Sequence, residues 1–265
     1  MKRSFFLFLF LIITLLVITS SEAIDTLQWS QLPDFNYGLN ITSFVLPTDD
    51  PTDPNYVPIT PVVGDDWQGE KGRKVTKIEW WGGYAGYSGN TPPQGILSFG
   101  IEIFSDLPKN NISGYSKPKE LLFAELHTGD YTEEYVGESN LTGESIFKYS
   151  VNLFTPFIED NEVYWLTIVA LEDPQITYFW GWITAEPSYN WNDSAVQFRI
   201  NWFPLEWDWY ELRYPQNHPY SDTPINMSFN IYSSIIPEIP SFFLFTLGAI
   251  SSLISCNFFF NRDKI

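Results

Sequence analysis

Apolar and polar residues alternate along most of this chain, and this pattern is what most restricts its fold. Residues 97–103 read LSFGIEI, and residues 147–153 and 227–231 repeat the alternation. Residues two apart point to the same face of a strand, so each segment predicts a strand with one face on a core. We find about ten such short strands and no convincing soluble helix. The sequence therefore predicts an all-β fold, a β-sandwich of jelly-roll-like type.

One segment is apolar on both of its faces. Val163 to Leu171 lacks alternation, which predicts a central strand covered on both sides. Pro47 to Pro61 is rich in proline and aspartate and predicts an extended surface crossing. Trp202 to Tyr220 places aromatic residues among prolines and predicts either an ordered cap or a binding loop. The remaining strand candidates are residues 41–46, 75–84, 120–127, 178–185, 195–200 and 211–214.

Both ends of the chain are apolar. Lys2 and Arg3 precede the apolar run Phe5 to Ile18, and a small-x-small site ends at Ala23, which predicts a signal peptide over residues 1–23. Near the other end, Ser241 to Phe260 carries no charge and reaches the ~20 residues that cross a bilayer. We therefore expect an exported protein, with a transmembrane helix at its C-terminal end and an extracytoplasmic domain at residues 24–236.

A short motif precedes this C-terminal apolar run. Pro237, Glu238 and Pro240 stand before the run, and Arg262 and Lys264 follow it. This arrangement resembles the PEP-CTERM sorting signal of exported bacterial proteins. The resemblance implies that residues 237–265 sort or anchor the protein, with an exosortase-like protease as partner.

The charge balance restricts the partners. The formal net charge is −18, from 32 acidic and 14 basic residues, and four of the basic residues lie in the terminal segments. A strongly negative domain repels nucleic acid and anionic lipid, so we expect neither as a partner. The single cysteine, Cys256, lies in the C-terminal apolar run, so the exported domain has no disulfide and no thiol nucleophile.

Asp65 and Asp66 are adjacent carboxylates before Trp67, where we expect a strand to start. Carboxylate oxygens are ligands for Ca²⁺, which takes about six to eight of them, so the pair is a candidate calcium site. The alternative is that one aspartate caps a turn while the other is exposed.

Several tryptophans suggest sugar binding, because flat rings stack on sugar faces. Trp80 and Trp81 are consecutive and point to opposite faces of a strand, so one is exposed unless both faces are covered. The alternative is packing in the core, where most aromatic residues of a sandwich lie. The candidate glycan-binding residues are Trp81, Trp182, Trp207 and Trp209.

Catalytic groups are harder to find. His127 and His218 have no metal-ligand or triad spacing. Carboxylates near aromatic residues are compatible with a glycosidase-type acid and base, although accidental pairs on a solvated acidic surface are the favoured explanation. These carboxylates belong to Glu79, Glu102, Glu206 and Asp208.

The middle of the chain carries a second resemblance. Trp29 to Asp34 (WSQLPD), Val62 to Trp67 (VVGDDW) and Val75 to Tyr84 (VTKIEWWGGY) are similar to the landmarks of a family of secreted bacterial domains. Later matches are at residues 163–166, 180–182 and 193–196. The resemblance implies a β-rich exported domain and brings no activity with it.

These observations together favour a non-catalytic β-sandwich protein at the cell surface or in an extracellular matrix. The first alternative is a carbohydrate-binding module that uses exposed tryptophans on an extracellular polysaccharide. The second is an enzyme resembling a glycoside hydrolase. Convergent carboxylates in a cleft would distinguish the hydrolase, and exposed tryptophans in a shallow groove would distinguish the binding module.

Overall fold

The alternating segments form two antiparallel β-sheets that enclose a common hydrophobic interior. The fold is taken from a computed structural model, which describes residues 25–46, 61–110, 114–189, 191–202 and 205–235. Within these residues there are fourteen strands and one short 3₁₀ helix, Pro187–Tyr189. The all-β prediction is confirmed, and the two sheets are consistent with a β-sandwich.

The first sheet is built around one long strand, β5. Its strands are β1 (Thr26–Gln31), β2 (Asn40–Thr42), β5 (Arg73–Tyr84), β8 (Thr132–Glu138), β9 (Ser145–Ile158), β11 (Trp180–Ile183) and β14 (Phe229–Ile235). The main path runs β1-β14-β5-β11-β2, and β9 pairs with both β5 and β8. The first and last strands of the domain are therefore neighbours.

The second sheet runs in the order β13-β12-β4-β10-β6-β7, with a short parallel strand, β3, beside β10. Its members are β3 (Phe44–Val45), β4 (Val62–Gln68), β6 (Ile96–Leu107), β7 (Lys117–His127), β10 (Val163–Glu172), β12 (Val196–Trp202) and β13 (Leu205–Glu211). The central position predicted for residues 163–171 is confirmed: β10 lies between β4 and β6 and is buried on both faces.

Aromatic rings fill much of the interior. Trp80 stacks on Tyr149 with ring centroids 5.4 Å apart, and Phe99 of the opposite sheet meets Trp80 edge to face at 5.2 Å. All three are fully buried. Each large ring removes roughly 150–250 Å² from water, so aromatic packing can stabilise a core that has no disulfide. Trp81 is also buried, beneath Phe35 and Val136, so both faces of β5 are covered at this point.

Two sequence predictions differ from the structure. The start of Trp202 to Tyr220 is strand rather than loop, because β13 pairs with β12 in an antiparallel hairpin. Residues 205–211 read LEWDWYE, in which apolar residues at 205, 207 and 209 alternate with acids at 206 and 208. The neighbouring prolines favoured a loop over this strand pattern. Asp65 and Asp66 lie inside β4 rather than at its start, because polar residues occupy buried positions of that strand.

The terminal predictions lie outside the described residues. These are the signal peptide at residues 1–23 and the sorting segment at residues 237–265, with Pro237, Glu238 and Pro240, and most of the surface crossing at Pro47 to Pro61 lies outside as well. In the part of the chain that is described, no helix is long and apolar enough to cross a membrane.

Candidate functional site

Asp65 is a buried acceptor between the two sheets. Its Oδ2 accepts the N–H of Met227 at 2.6 Å, and its Oδ1 accepts the N–H of Asp66 at 3.0 Å. The amide nitrogen of Gln31, in the orientation that satisfies both of its polar atoms, donates to Oδ2 at 3.1 Å. Burial raises the pKa of Asp65 well above its ordinary value, and the two N–H groups oppose that rise. Asp65 thus connects β4 to β1 and to the segment leading into β14.

Asp66 points to the opposite face of β4, as alternation requires. Its Oδ2 accepts a hydrogen bond from the side-chain Nδ2 of Asn192 at 2.5 Å. Burial raises the pKa of this carboxyl, and the charges of Asp65, Asp193 and Asp106 raise it further. Because the two neighbours face opposite ways, their carboxylates do not converge on one ion. No group of three or more His, Cys, Asp or Glu side chains within the described ranges is arranged to hold a metal.

The candidate glycan-binding tryptophans do not share a surface. Trp182 is fully buried, and its Nε1 donates to the Ser228 carbonyl at 2.7 Å. Trp81 is nearly buried on the outer side of the first sheet, with Lys148 Nζ 5.8 Å from its ring. Neither ring is free to stack on a sugar. Trp209 is half-buried on the second sheet, and Trp207 lies in β13 opposite Ile200, its side chain beyond what is described.

The carboxylates suggested for acid–base work are also dispersed. The carboxylate of Glu79 accepts hydrogen bonds from Lys77 Nζ at 2.7 Å and from the Tyr232 hydroxyl at 2.8 Å. Burial would raise its pKa, but its ammonium, amide and hydroxyl donors outweigh that effect and lower the pKa to about 2. A group this acidic is a poor proton donor near neutral pH. Glu102 accepts the Thr167 hydroxyl, and Asp208 pairs with Lys117 at 2.7 Å, both on the second sheet.

Both histidines take part in local contacts. His127 lies beside Asp130, with 2.8 Å between Nδ1 and Oδ2, and its ring stacks on Phe154. His218 contacts the Tyr37 carbonyl through Nε2 at 2.7 Å, and its Nδ1 accepts the N–H of Tyr220. His127 ends β7, whereas His218 lies in the segment between β13 and β14, so the two rings lie in different parts of the fold.

Two buried acids and one half-buried acid have roles that the sequence did not reveal. Glu159 accepts Trp67 Nε1 and Gln28 Nε2, each at 2.7 Å. One oxygen of Glu133 accepts the hydroxyls of Tyr84 and Tyr149. Glu172 accepts the N–H of Trp180. No motif marks these acids. Glu133 lies opposite Tyr149 in the strand register, so its side chain points inward. This position in the alternation of β8 is the one signal that could have identified any of the three acids.

The segments that carried the second resemblance meet in the interior. Trp29 donates to the Gln31 amide oxygen at 3.1 Å, and Gln31 donates to Asp65. Trp67, two residues further along β4, is tied to β1 through Glu159 and Gln28. These landmark side chains therefore join β1 to β4, one strand from each sheet.

This fold, with Gln31, Asp65 and Trp67 directed inward, defines an all-β domain of two packed antiparallel sheets. The chain belongs to the family described as Domain of unknown function (DUF7901), whose match covers residues 27–232. No curated protein and no solved structure matches it.

Proposed function

We propose that this chain is an exported, non-catalytic protein whose jelly-roll-like β-sandwich serves at the cell surface or in an extracellular matrix. In this proposal, residues 1–23 are the signal peptide. Residues 237–265 form a PEP-CTERM-like segment whose transmembrane helix anchors the domain, or is sorted by an exosortase-like protease.

The network between the sheets supports this proposal most strongly. Gln31, Asp65 and Trp67 are the polar and aromatic residues of the landmark segments, and their polar atoms are engaged by other parts of the same domain. Buried polar groups that are satisfied in this way stabilise a fold and are not available to a substrate. The residues that stand out in the sequence therefore suit a structural domain.

Cell fractionation tests the proposed location. We expect the chain expressed in a Gram-negative host to be exported, to lose residues 1–23 and to remain with membranes. A variant lacking Ser241 to Ile265 should be released as soluble domain, and a variant lacking residues 2–23 should stay in the cytosol as the control. Recovery of the full chain from the cytosol would contradict the proposal.

A glycan-binding role is the second candidate, and it now rests on Trp209. This half-buried ring lies 5.3 Å from Phe198 and 6.3 Å from Phe104, forming an aromatic strip on the outer face of the second sheet. Affinity electrophoresis in gels containing extracellular polysaccharides tests this role. Trp209→Ala should abolish any retardation that the wild type displays, whereas Phe179→Ala, at an exposed ring elsewhere, should preserve it. Equal retardation of the two variants would argue against Trp209.

A further inference from the structure

The chain contains five Asn-x-Ser/Thr sequons, at Asn40, Asn111, Asn140, Asn192 and Asn226. This motif is the acceptor for N-linked glycosylation in exported proteins, and the modified asparagine lies at the surface because a glycan is bulky and hydrated. The structure describes every one of these asparagines except Asn111. Burial and hydrogen bonding therefore show which of the described sequons can carry a glycan in the folded domain.

Two of the described sequons are enclosed by the domain. Asn226 is only 4% exposed, and the hydroxyl-bearing residue of its sequon, Ser228, is fully buried. The amide oxygen of Asn40 is buried and lies so close to Gly181 that a side chain on that glycine would meet it. A glycan on either asparagine would have to displace packed parts of the domain.

The sequon at Asn192 is engaged by the second sheet. Asn192 Nδ2 donates to the buried carboxyl of Asp66 at 2.5 Å. Ser194, the third residue of this sequon, is 2% exposed, and its hydroxyl donates to Glu211 at 3.0 Å. The two groups that define an acceptor, the amide and the hydroxyl two residues later, are thus both bound to carboxyl groups of the same domain.

The sequon at Asn140 forms the exposed turn between β8 and β9. Asn140, Leu141 and Thr142 are all exposed. Asn140 Nδ2 donates to Oδ1 of the exposed Asn36 at 2.9 Å, and an amide nitrogen carries two hydrogens, so one can be replaced while the other donates. The Thr142 hydroxyl accepts the N–H of Glu144 at 3.3 Å, a contact that uses an oxygen lone pair and not the hydroxyl hydrogen. This sequon therefore presents both of its acceptor groups to solvent.

An acidic residue stands two positions before Asn140. Glu138 is exposed at the end of β8, and no other sequon of the chain has Asp or Glu at this position. Arg side chains bind carboxylates strongly through paired hydrogen bonds. Glu138 thus gives a transferase a second group to recognise beside the sequon itself.

We propose that Asn140 carries an N-linked glycan, an inference that rests on the proposed export of the chain. The donor is an oligosaccharide joined through its anomeric carbon to a lipid diphosphate. The bond from that carbon to the diphosphate oxygen breaks, and a bond from the same carbon to Asn140 Nδ2 forms. The Nδ2 proton goes to a base of the transferase, and the lipid diphosphate leaves.

The position of the turn gives this glycan a physical role. Among the described strands β8 pairs only with β9, so β8 is an edge of the first sheet. An exposed edge can pair with a strand of another chain, and proteins commonly cover or charge such edges. A bulky, hydrated glycan at the end of β8 hinders that pairing.

Intact-mass spectrometry of the full chain tests the site in cells. We expect the chain, expressed in a Gram-negative host with an oligosaccharyltransferase and its lipid-linked donor, to gain the mass of one oligosaccharide. Peptide sequencing should place the glycan on Asn140. Asn140→Gln and Thr142→Ala should lose it completely, whereas Thr142→Ser, which keeps the hydroxyl, and Asn111→Gln should retain it.

The same spectra report whether residues 1–23 are removed, which separates this proposal from the proposed export. A chain that has lost the signal peptide and carries no glycan overturns the glycosylation and leaves the export standing. A glycan that is found on Asn40, Asn192 or Asn226, or on Asn111 alone, overturns it as well.

Transfer to the purified chain provides a measurement that does not depend on export. We expect the folded, detergent-solubilised chain to be modified at Asn140 when it is incubated with the purified transferase and its lipid-linked donor. Glu138→Gln should slow this transfer, and the melting temperature of each variant verifies that it is folded. Absence of transfer to the folded wild type, or transfer that persists in Asn140→Gln, contradicts the proposed site.

Discussion

Glu172 is a fully buried carboxyl group with only one partnered oxygen. Its Oε1 accepts the N–H of Trp180, whereas no partner for Oε2 lies among the described residues. Burial raises its pKa from 4.5 to about 7, against the lowering effect of the Trp180 N–H. Because the folded state holds this proton more tightly than the unfolded chain, stability is full below pH 4.5 and falls as the pH rises towards 7 and above.

Glu172→Gln should remove this pH dependence. Glutamine keeps an acceptor for Trp180 and has no charge to desolvate, so we expect the variant to exceed the wild type by on the order of 2 kcal/mol at pH 8 and to match it near pH 4. Urea unfolding across this pH range is the measurement, with Glu134→Gln at an exposed position of β8 as control. A wild-type advantage that grows with pH would show that Glu172 is stabilised as a carboxylate.

Asp65→Asn tests the junction between the sheets. All the groups that contact the Asp65 oxygens are N–H donors, so an amide nitrogen at this position would face another donor. We expect a loss of roughly 1–3 kcal/mol, the usual cost of a buried unsatisfied group. Thermal unfolding measures it, and Asp160→Asn, at an exposed position, serves as control.

The orientation of Asp65 and Asp66 predicts how the melting temperature of the domain responds to calcium. Since Asp65 and Asp66 face opposite sides of β4, we expect Ca²⁺ and Mg²⁺ at matched ionic strength to shift the melting temperature equally. A shift specific to Ca²⁺ that disappears in the double variant Asp65→Asn, Asp66→Asn would instead support a calcium site at these residues. An ion bound only by the folded state would add about 2.7 kcal/mol at a hundredfold excess over its Kd.

At the scale of the element, β10 is the strand on which the second sheet depends. Leu166 and Ile168 are fully buried, and β10 pairs with β4 over residues 163–167 and with β6 over residues 164–172. Leu166→Asp or Ile168→Asp should unfold the domain, because an unpaired buried carboxylate costs several kcal/mol against a total of about 5–15 kcal/mol. Circular dichroism measures this, and the exposed Leu141→Asp should remain folded.

The sequence predicted elements well where apolar pattern and burial coincide. β6 and β9 follow from their alternation and β10 follows from its continuous apolar run, because most of their buried positions are apolar. The first half of β4 was not predicted, since VVGDDWQ places two aspartates at fully buried positions, and only hydrogen bonds from distant segments make that burial tolerable. The pairs between Asp65 and Met227 and between Glu159 and Trp67 span 162 and 92 residues, so no local pattern contains them.

At the scale of the whole molecule, the sequence predicted the class of fold and left the candidate sites undecided. Strand periodicity is a local property, and it identifies all-β architecture from each segment separately. Whether Trp81 and Trp182 are exposed depends on which strands and loops cover them, for example Phe35 over Trp81. That information lies in the sheet order, which the sequence does not display.

The neighbouring positions of β1 and β14 have a consequence for chain connectivity. Thr26 pairs with Ser233, so the first and last residues of the domain lie next to each other on neighbouring strands. Facing Cα atoms in antiparallel strands are only about 5 Å apart, a gap that a few residues can bridge. A circular permutant of residues 25–235, with a short linker joining these ends and new termini in the exposed turn at Leu141 and Thr142, should keep every strand pair. In this fold the order of strands in space does not depend on where the chain begins.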